Sequence, residues 1–150
     1  MEEKSNALDK KTSTPISVDP IQGVAMEALP SKIQEVKILT KFLVSLLDKA
    51  RTELYGIEML DCCDLLEKTY IEVEANENYV EKMDLAVLFK ITAKKMYALS
   101  FKLVLNKTDT EDHLELLRDG IEEIRLLFLP WIKSFESFEK YPDGWGIFED

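Results

Sequence analysis

Histidine is almost missing from this chain: His113 is the only one among 150 residues. A di-iron bundle with paired Glu-x-x-His motifs needs two and is excluded. A Ser-His-Asp triad has no convincing partner set, and His113, beside Asp112, reads as an exposed residue in the first turn of a helix. Cysteine is scarce as well. Cys62 and Cys63 are the only two, and they are adjacent. A disulfide between neighbours strains the peptide that joins them and does not fit a helix. No intrachain disulfide framework is expected, and a sulfur–nitrogen metal site falls short of its usual ~four ligands. A reducing, cytoplasmic compartment is the simplest reading. Glycine and proline number five each, which favours long helices over turn-rich sheets. No stretch reaches the ~18 uncharged apolar residues of a membrane span, and the first residues carry no apolar run of signal-peptide length. Positive charge is in deficit, 19 basic against 29 acidic residues, for a formal net charge of −10. So acidic a surface repels phosphate backbones and anionic lipid, so neither nucleic acid nor membrane is an expected partner. A basic partner is attracted.

What is present is a globular composition, 46% hydrophobic and 32% charged. Residues 1–18 are polar and aperiodic and are expected to form a disordered tail, with 19–150 as the helical domain. Asp19-Pro20-Ile21-Gln22 has the cap, first-turn proline and glutamine of a helix start. That helix is expected to run to Leu29 and end at Pro30, with Ile21, Val24, Met26 and Leu29 stapling it to the core. Ser31-Lys32-Ile33-Gln34 repeats the capping pattern. Apolar residues then recur at helical spacing from Ile33 to Leu54. One helix from 31 to 75 would be ~67 Å long, so a break or sharp kink is placed near Gly56. Met59, Cys63, Leu66, Tyr70 and Val73 form one helical face, and 75–78 is the turn that follows. A third helix over about 79–105 shows two stripes: Val80, Met83, Val87, Ile91, and Leu85, Leu88, Met96, Leu99, Leu103. Asn106-Lys107-Thr108-Asp109 breaks the pattern, and Thr108 with Glu111 has capping-box spacing. The last helix carries Leu114, Leu117, Ile121, Ile124, Phe128, Trp131, Phe135 and Phe138 in alternating steps of three and four. Pro130 is expected to kink or split it. The expected fold is all-α, an antiparallel up-down four-helix bundle with a polar N-terminal tail and a short aromatic C-terminal tail.

The carboxylates offer one catalytic reading. Asp61 and Asp64 lie one turn apart on the second segment, as do Glu81 and Asp84 on the third. Converging, they would present hard oxygen ligands to Mg²⁺. Two acidic pairs on neighbouring helices resemble the all-helical nucleotide pyrophosphohydrolases, and that likeness implies metal-dependent hydrolysis. The first pair departs from the family in being Asp-x-x-Asp rather than Glu-x-x-Glu, and it falls opposite the Met59–Val73 stripe. Asp84, among Val80, Met83, Val87 and Leu88, is expected either half-buried with a partner or at the mouth of a pocket. Lys90, Lys94, Lys95, Lys102 and Lys107 face an acidic following helix in sequence, which reads as charge pairing between neighbours.

The tail is the least ordinary segment. Trp145, Ile147 and Phe148 are large apolar groups interleaved with Gly144 and Gly146. Such a stretch does not extend a helix. It is expected either to fold back beside Trp131 or to insert into a partner. The function expected is therefore a non-catalytic protein–protein interaction module, an adaptor or regulatory subunit. Trp131, Trp145, Ile147 and Phe148 are its partner-binding residues, with no catalytic residue, metal ligand or cofactor. Another protein is the expected partner, or a second copy of the chain through the aromatic last helix. The rival reading is the metal-dependent hydrolase.

Overall fold

A computed structural model of the chain describes the backbone of residues 20–103 and 108–146 and the side chains of 28–103 and 111–146. The polar tail at 1–18, the Asp19 cap, the packing of Ile21, Val24 and Met26, the break at 106–107, the Thr108 cap, Ile147 and Phe148 lie outside those residues. Among the described residues the protein is all-helical, with no strand. Its long helices are α1 (Pro20–Ser45), α2 (Ile57–Ala75), α3 (Tyr79–Ser100) and α4 (Thr108–Lys133). They form a bundle.

Contacts between neighbouring helices pair residues in opposite chain order, as antiparallel packing requires. Lys37 reaches Glu67 and Asp64 while Val44 lies beside Gly56. Glu58 pairs with Lys95 while Val73 accepts from Lys82. Ser100 meets Arg118 while Phe89 meets Phe128. Lys32 pairs with Glu123 while Phe42 meets the His113 ring, so α1 closes against α4. They pack closely at Gly120, where a Cβ would stand 2.9 Å from Val36 Cγ2.

Of three places where the sequence suggests a break, Pro30 and Pro130 lie within helices and only one break is found, away from Gly56. Pro30 does not end a helix; α1 runs through it to Ser45. A proline inside a helix removes one backbone hydrogen bond and costs roughly 3 kcal/mol. Burial of Leu29, Ile33 and Val36 on either side offsets that, at ~1.5–3 kcal/mol per large side chain. Pro130 likewise lies within α4, which continues to Lys133 before a 3₁₀ turn over Ser134–Ser137. Pro130 therefore does not split α4, and Trp131 and Phe135 just beyond it are buried. The chain breaks at 46–48 rather than at Gly56. There Asp48 accepts from the Arg51 N–H at 2.8 Å and caps a short turn, Lys49–Arg51. Gly56 closes a π-turn, Thr52–Gly56, which carries the helix on into α2. A Cβ on Gly56 would meet Val44 Cγ1 at 3.0 Å, so the bare glycine lets the end of α1 pack closely.

The core runs the length of the bundle. On α2 the expected stripe is inside, joined by Cys62. Burial pushes the Cys63 thiol up to about 11, so it is inert at neutral pH. On α3 the inner face is Val80, Ala86, Phe89, Met96 and Leu99, with Lys82, Thr92 and Ser100. Ile91, placed inside by its sequence stripe, is 53% exposed, and Leu88 also faces outward. On α4, Leu114, Leu117, Ile121, Ile124 and Trp131 are buried, as is Phe135 in the turn after it.

Candidate interaction site

Trp131 is 0% exposed. Its ring stacks on Tyr70 at 5.5 Å and meets Phe89 and Phe135 edge-on at 5.1 and 5.4 Å. The indole N–H donates to Glu74 Oε2 at 3.0 Å. Every part of the side chain is used internally, so Trp131 is withdrawn from the expected partner-binding set. Of the aromatic row of the last helix, Trp131 and Phe135 are buried in the core, while Phe128 and Phe138 are partly buried.

Trp145 stands in the opposite condition, 84% exposed. What holds it there begins at the turn between α2 and α3. Asn78 caps α3 by accepting from the Val80 N–H at 3.0 Å. The same carboxamide oxygen accepts from the Tyr141 N–H at 3.1 Å, and its NH₂ donates to the Tyr141 carbonyl at 3.3 Å. The Tyr79 N–H donates to the Glu139 carbonyl at 2.8 Å. Lys82, 3% exposed, donates to the Val73 carbonyl at 2.7 Å, with its ammonium 4.2 Å from the Phe138 ring centre. Loss of hydration lowers the Lys82 pKa, and the Val73 carbonyl at the α2 terminus, which also accepts from the Asn76 N–H, and the ring face stand in for water. Residues 138–141 are thus fastened to the end of the bundle. The tail was expected either to fold back beside Trp131 or to insert into a partner; of its three large apolar residues only Trp145 is described, and it does not fold back into the bundle.

Beyond the anchor, Asp143 Oδ1 accepts from the Trp145 N–H at 2.9 Å and sets a tight turn. Gly144 and Gly146 have φ of +88° and +85°, the left-handed region in which a Cβ is strained. The two glycines fix the turn that carries Trp145 outward.

Beneath it lies a cleft of about 660 Å³ at the α2–α3 end, lined by Glu72, Glu81, Asp84 and Asp143 with Trp145 on its rim. Asn76 orients Glu81, its NH₂ donating to Oε1 at 3.0 Å. The Asp84 pKa is raised, first by loss of hydration and then by Asp143 and Glu81. Repulsion of that sign belongs to a site that a cation would relieve. Asp84 is an exposed residue at the mouth of a pocket, one of its two expected placements.

The four carboxylates of the catalytic reading do not come together in this cleft. Asp64 points to Lys37 on α1, 3.7 Å away. Asp61 is exposed near the other end of α2 and is no part of the cleft. Glu72 and Asp143 stand there instead, and the sequence reading missed both. The available signal was position: Glu72 lies three residues before the turn, and Asp143 opens the Gly-Trp-Gly turn. Among the described residues no group of three or more His, Cys, Asp or Glu side chains is placed to hold a metal ion. No helix is long and apolar enough to cross a membrane among them. No protein-family model, curated protein or solved structure matches the chain.

Proposed function

We propose that the chain is a non-catalytic protein-interaction module that docks a basic segment of another protein at the acidic cleft beneath Trp145. One observation carries this reading: an indole 84% exposed, fixed by two left-handed glycines at the rim of a cleft with four carboxylates. A large apolar ring is costly to leave in water, at ~25 cal/mol per Å², and aromatic anchors beside pockets dominate binding energy at interfaces. A lysine or arginine side chain satisfies both halves of the site. Its charge answers Glu72, Glu81, Asp84 and Asp143, and its stem or guanidinium lies against the indole. The net charge of −10 steers such a partner inward. A cytoplasmic adaptor or regulatory subunit fits the two unpaired, buried thiols.

The test is fluorescence anisotropy with a labelled Lys/Arg-rich peptide and an acidic peptide of equal length. The basic peptide binds saturably and more weakly as salt is added. Trp145→Ala weakens it by about tenfold or more, and a Glu81→Gln/Asp84→Asn variant lowers both affinity and salt dependence. Equal binding of the two peptides, or no effect of Trp145→Ala, contradicts the proposal.

A further inference from the structure

The seam between α3 and α4 is joined at two places and open between them. At one end Arg118 donates to Ser100 through Nε and a terminal nitrogen, both at 3.0 Å. Toward the other, Phe89 and Phe128 lie parallel with ring centres 6.3 Å apart. Between these ties is a slot of about 340 Å³ floored by Phe89, Ala93, Tyr97, Ile121, Ile124 and Phe128. That volume is at the lower end of small-molecule sites. A slot tied off at both ends does not admit a helix, which is ~10 Å across and needs an open-ended groove.

The rim has a sign of its own. Lys90, Lys94 and Arg125 border the slot with a single acid, Glu122, and Glu122 already accepts from Arg125 Nε at 2.8 Å. Lys90 and Lys94 are one helical turn apart on α3, an arrangement in which like charges repel. Neither has an acidic partner among the described residues, although acids outnumber bases by ten in the whole chain. Lys95, one position on, is paired with Glu58. Two lysines without an acidic partner among the described residues therefore border an apolar slot in a strongly acidic protein.

We infer that this slot binds a small anionic amphiphile, an aliphatic carboxylate whose chain lies along the partly exposed Ala93, Tyr97 and Phe128 and whose head group sits between Lys90 and Lys94. Burial of the chain supplies affinity, and the lysine pair selects the anion over neutral and cationic analogues of the same length. The site is separate from the Trp145 cleft: the two share α3 but no lining residue.

The full chain is titrated calorimetrically with decanoate, decanol and decyltrimethylammonium, each below its self-association concentration. Decanoate binds saturably and about fivefold tighter than decanol, with the cation weakest. Lys90→Gln/Lys94→Gln, two exposed positions, brings decanoate to the level of decanol without changing the helical circular dichroism. Ala93→Phe, which fills the slot, weakens both ligands; if that variant fails to fold, the lysine pair decides alone. Absence of saturable decanoate binding overturns the inference. So does a preference for the anion that survives removal of both lysines, or decanoate binding that survives in a folded Ala93→Phe variant.

Discussion

Two tryptophans divide the labour of the molecule, and substitution separates them. Trp131→Ala empties the aromatic centre, so urea unfolding should show a loss of ~3–5 kcal/mol. Trp145→Ala removes a ring that already faces water and should change stability by less than ~0.5 kcal/mol. A large loss from Trp145→Ala would mean that the ring is docked in solution. Thr40 gives a gain rather than a loss. Its fully buried hydroxyl has no ordinary hydrogen-bond partner and lies beside the Cys63 thiol, a weak one. Thr40→Val keeps the shape and removes an underpaired polar group, so it should stabilise the protein by about 1 kcal/mol in the same assay. Asp84 carries the pH signature. Its pKa in the folded protein is raised, so the folded state holds this proton more tightly than the unfolded chain does. Stability linked to it is fully present below the ordinary carboxylate pKa and is lost as pH rises through the raised folded value. Asp84→Asn should therefore raise the melting temperature at neutral pH and have little effect near about pH 3, where the native carboxyl is protonated. An equal shift at both pH values would exclude a charge-repulsion origin.

Helix crossings and turns are where the sequence was hardest to read, and the reasons differ. The α4 stripe was legible because its opposite face is largely charged, so apolar positions mark the inside unambiguously. On α3 apolar residues lie almost all round, and two overlapping stripes were drawn. Phe89, Ala86 and Thr92 proved inward while Ile91 and Leu88 face out, because packing against α2 and α4 chose among equivalent faces. Pro30 misled for another reason: its local penalty is smaller than the burial around it. Asp48 was the overlooked cap, hidden because Gly56 is the more obvious breaker. Of the site, Asp84 and Trp145 were legible as a misplaced acid and a misplaced ring. Glu72 and Asp143 were not, since only the folded-back tail brings them together. Two glycines test these junctions. Gly120→Ala improves helix propensity by ~1 kcal/mol, yet its methyl meets the stiff Val36 side chain, and overpacking costs ~1–3 kcal/mol. We expect net destabilisation, relieved in a Val36→Ala background; a stabilised single variant would show that α1 and α4 separate without cost. Gly144→Ala meets no neighbour but strains a left-handed residue, by ~1–2 kcal/mol. It should disorder the turn and weaken binding of the basic peptide while leaving the global unfolding transition in place.

Across the bundle, charge and apolar surface are distributed unevenly in a way the core does not require. The α2–α3 end gathers four carboxylates under an outward indole, and one stretch of α3 gathers lysines over an apolar slot. The arrangement is that of a helical frame with charged and apolar groups placed on its exterior, and the central claim is that the first of these surfaces is a docking site. Its most direct test uses the two indole N–H signals in a two-dimensional NMR titration with a Lys/Arg-rich peptide. The Trp131 signal, held on Glu74 inside the bundle, serves as the internal control. The account predicts that the Trp145 indole signal and the amides of Glu81 and Asp84 move together and saturate while Trp131 stays fixed. A Trp145 signal that remains stationary while the peptide binds, or shifts confined to residues distant from the cleft, would contradict it.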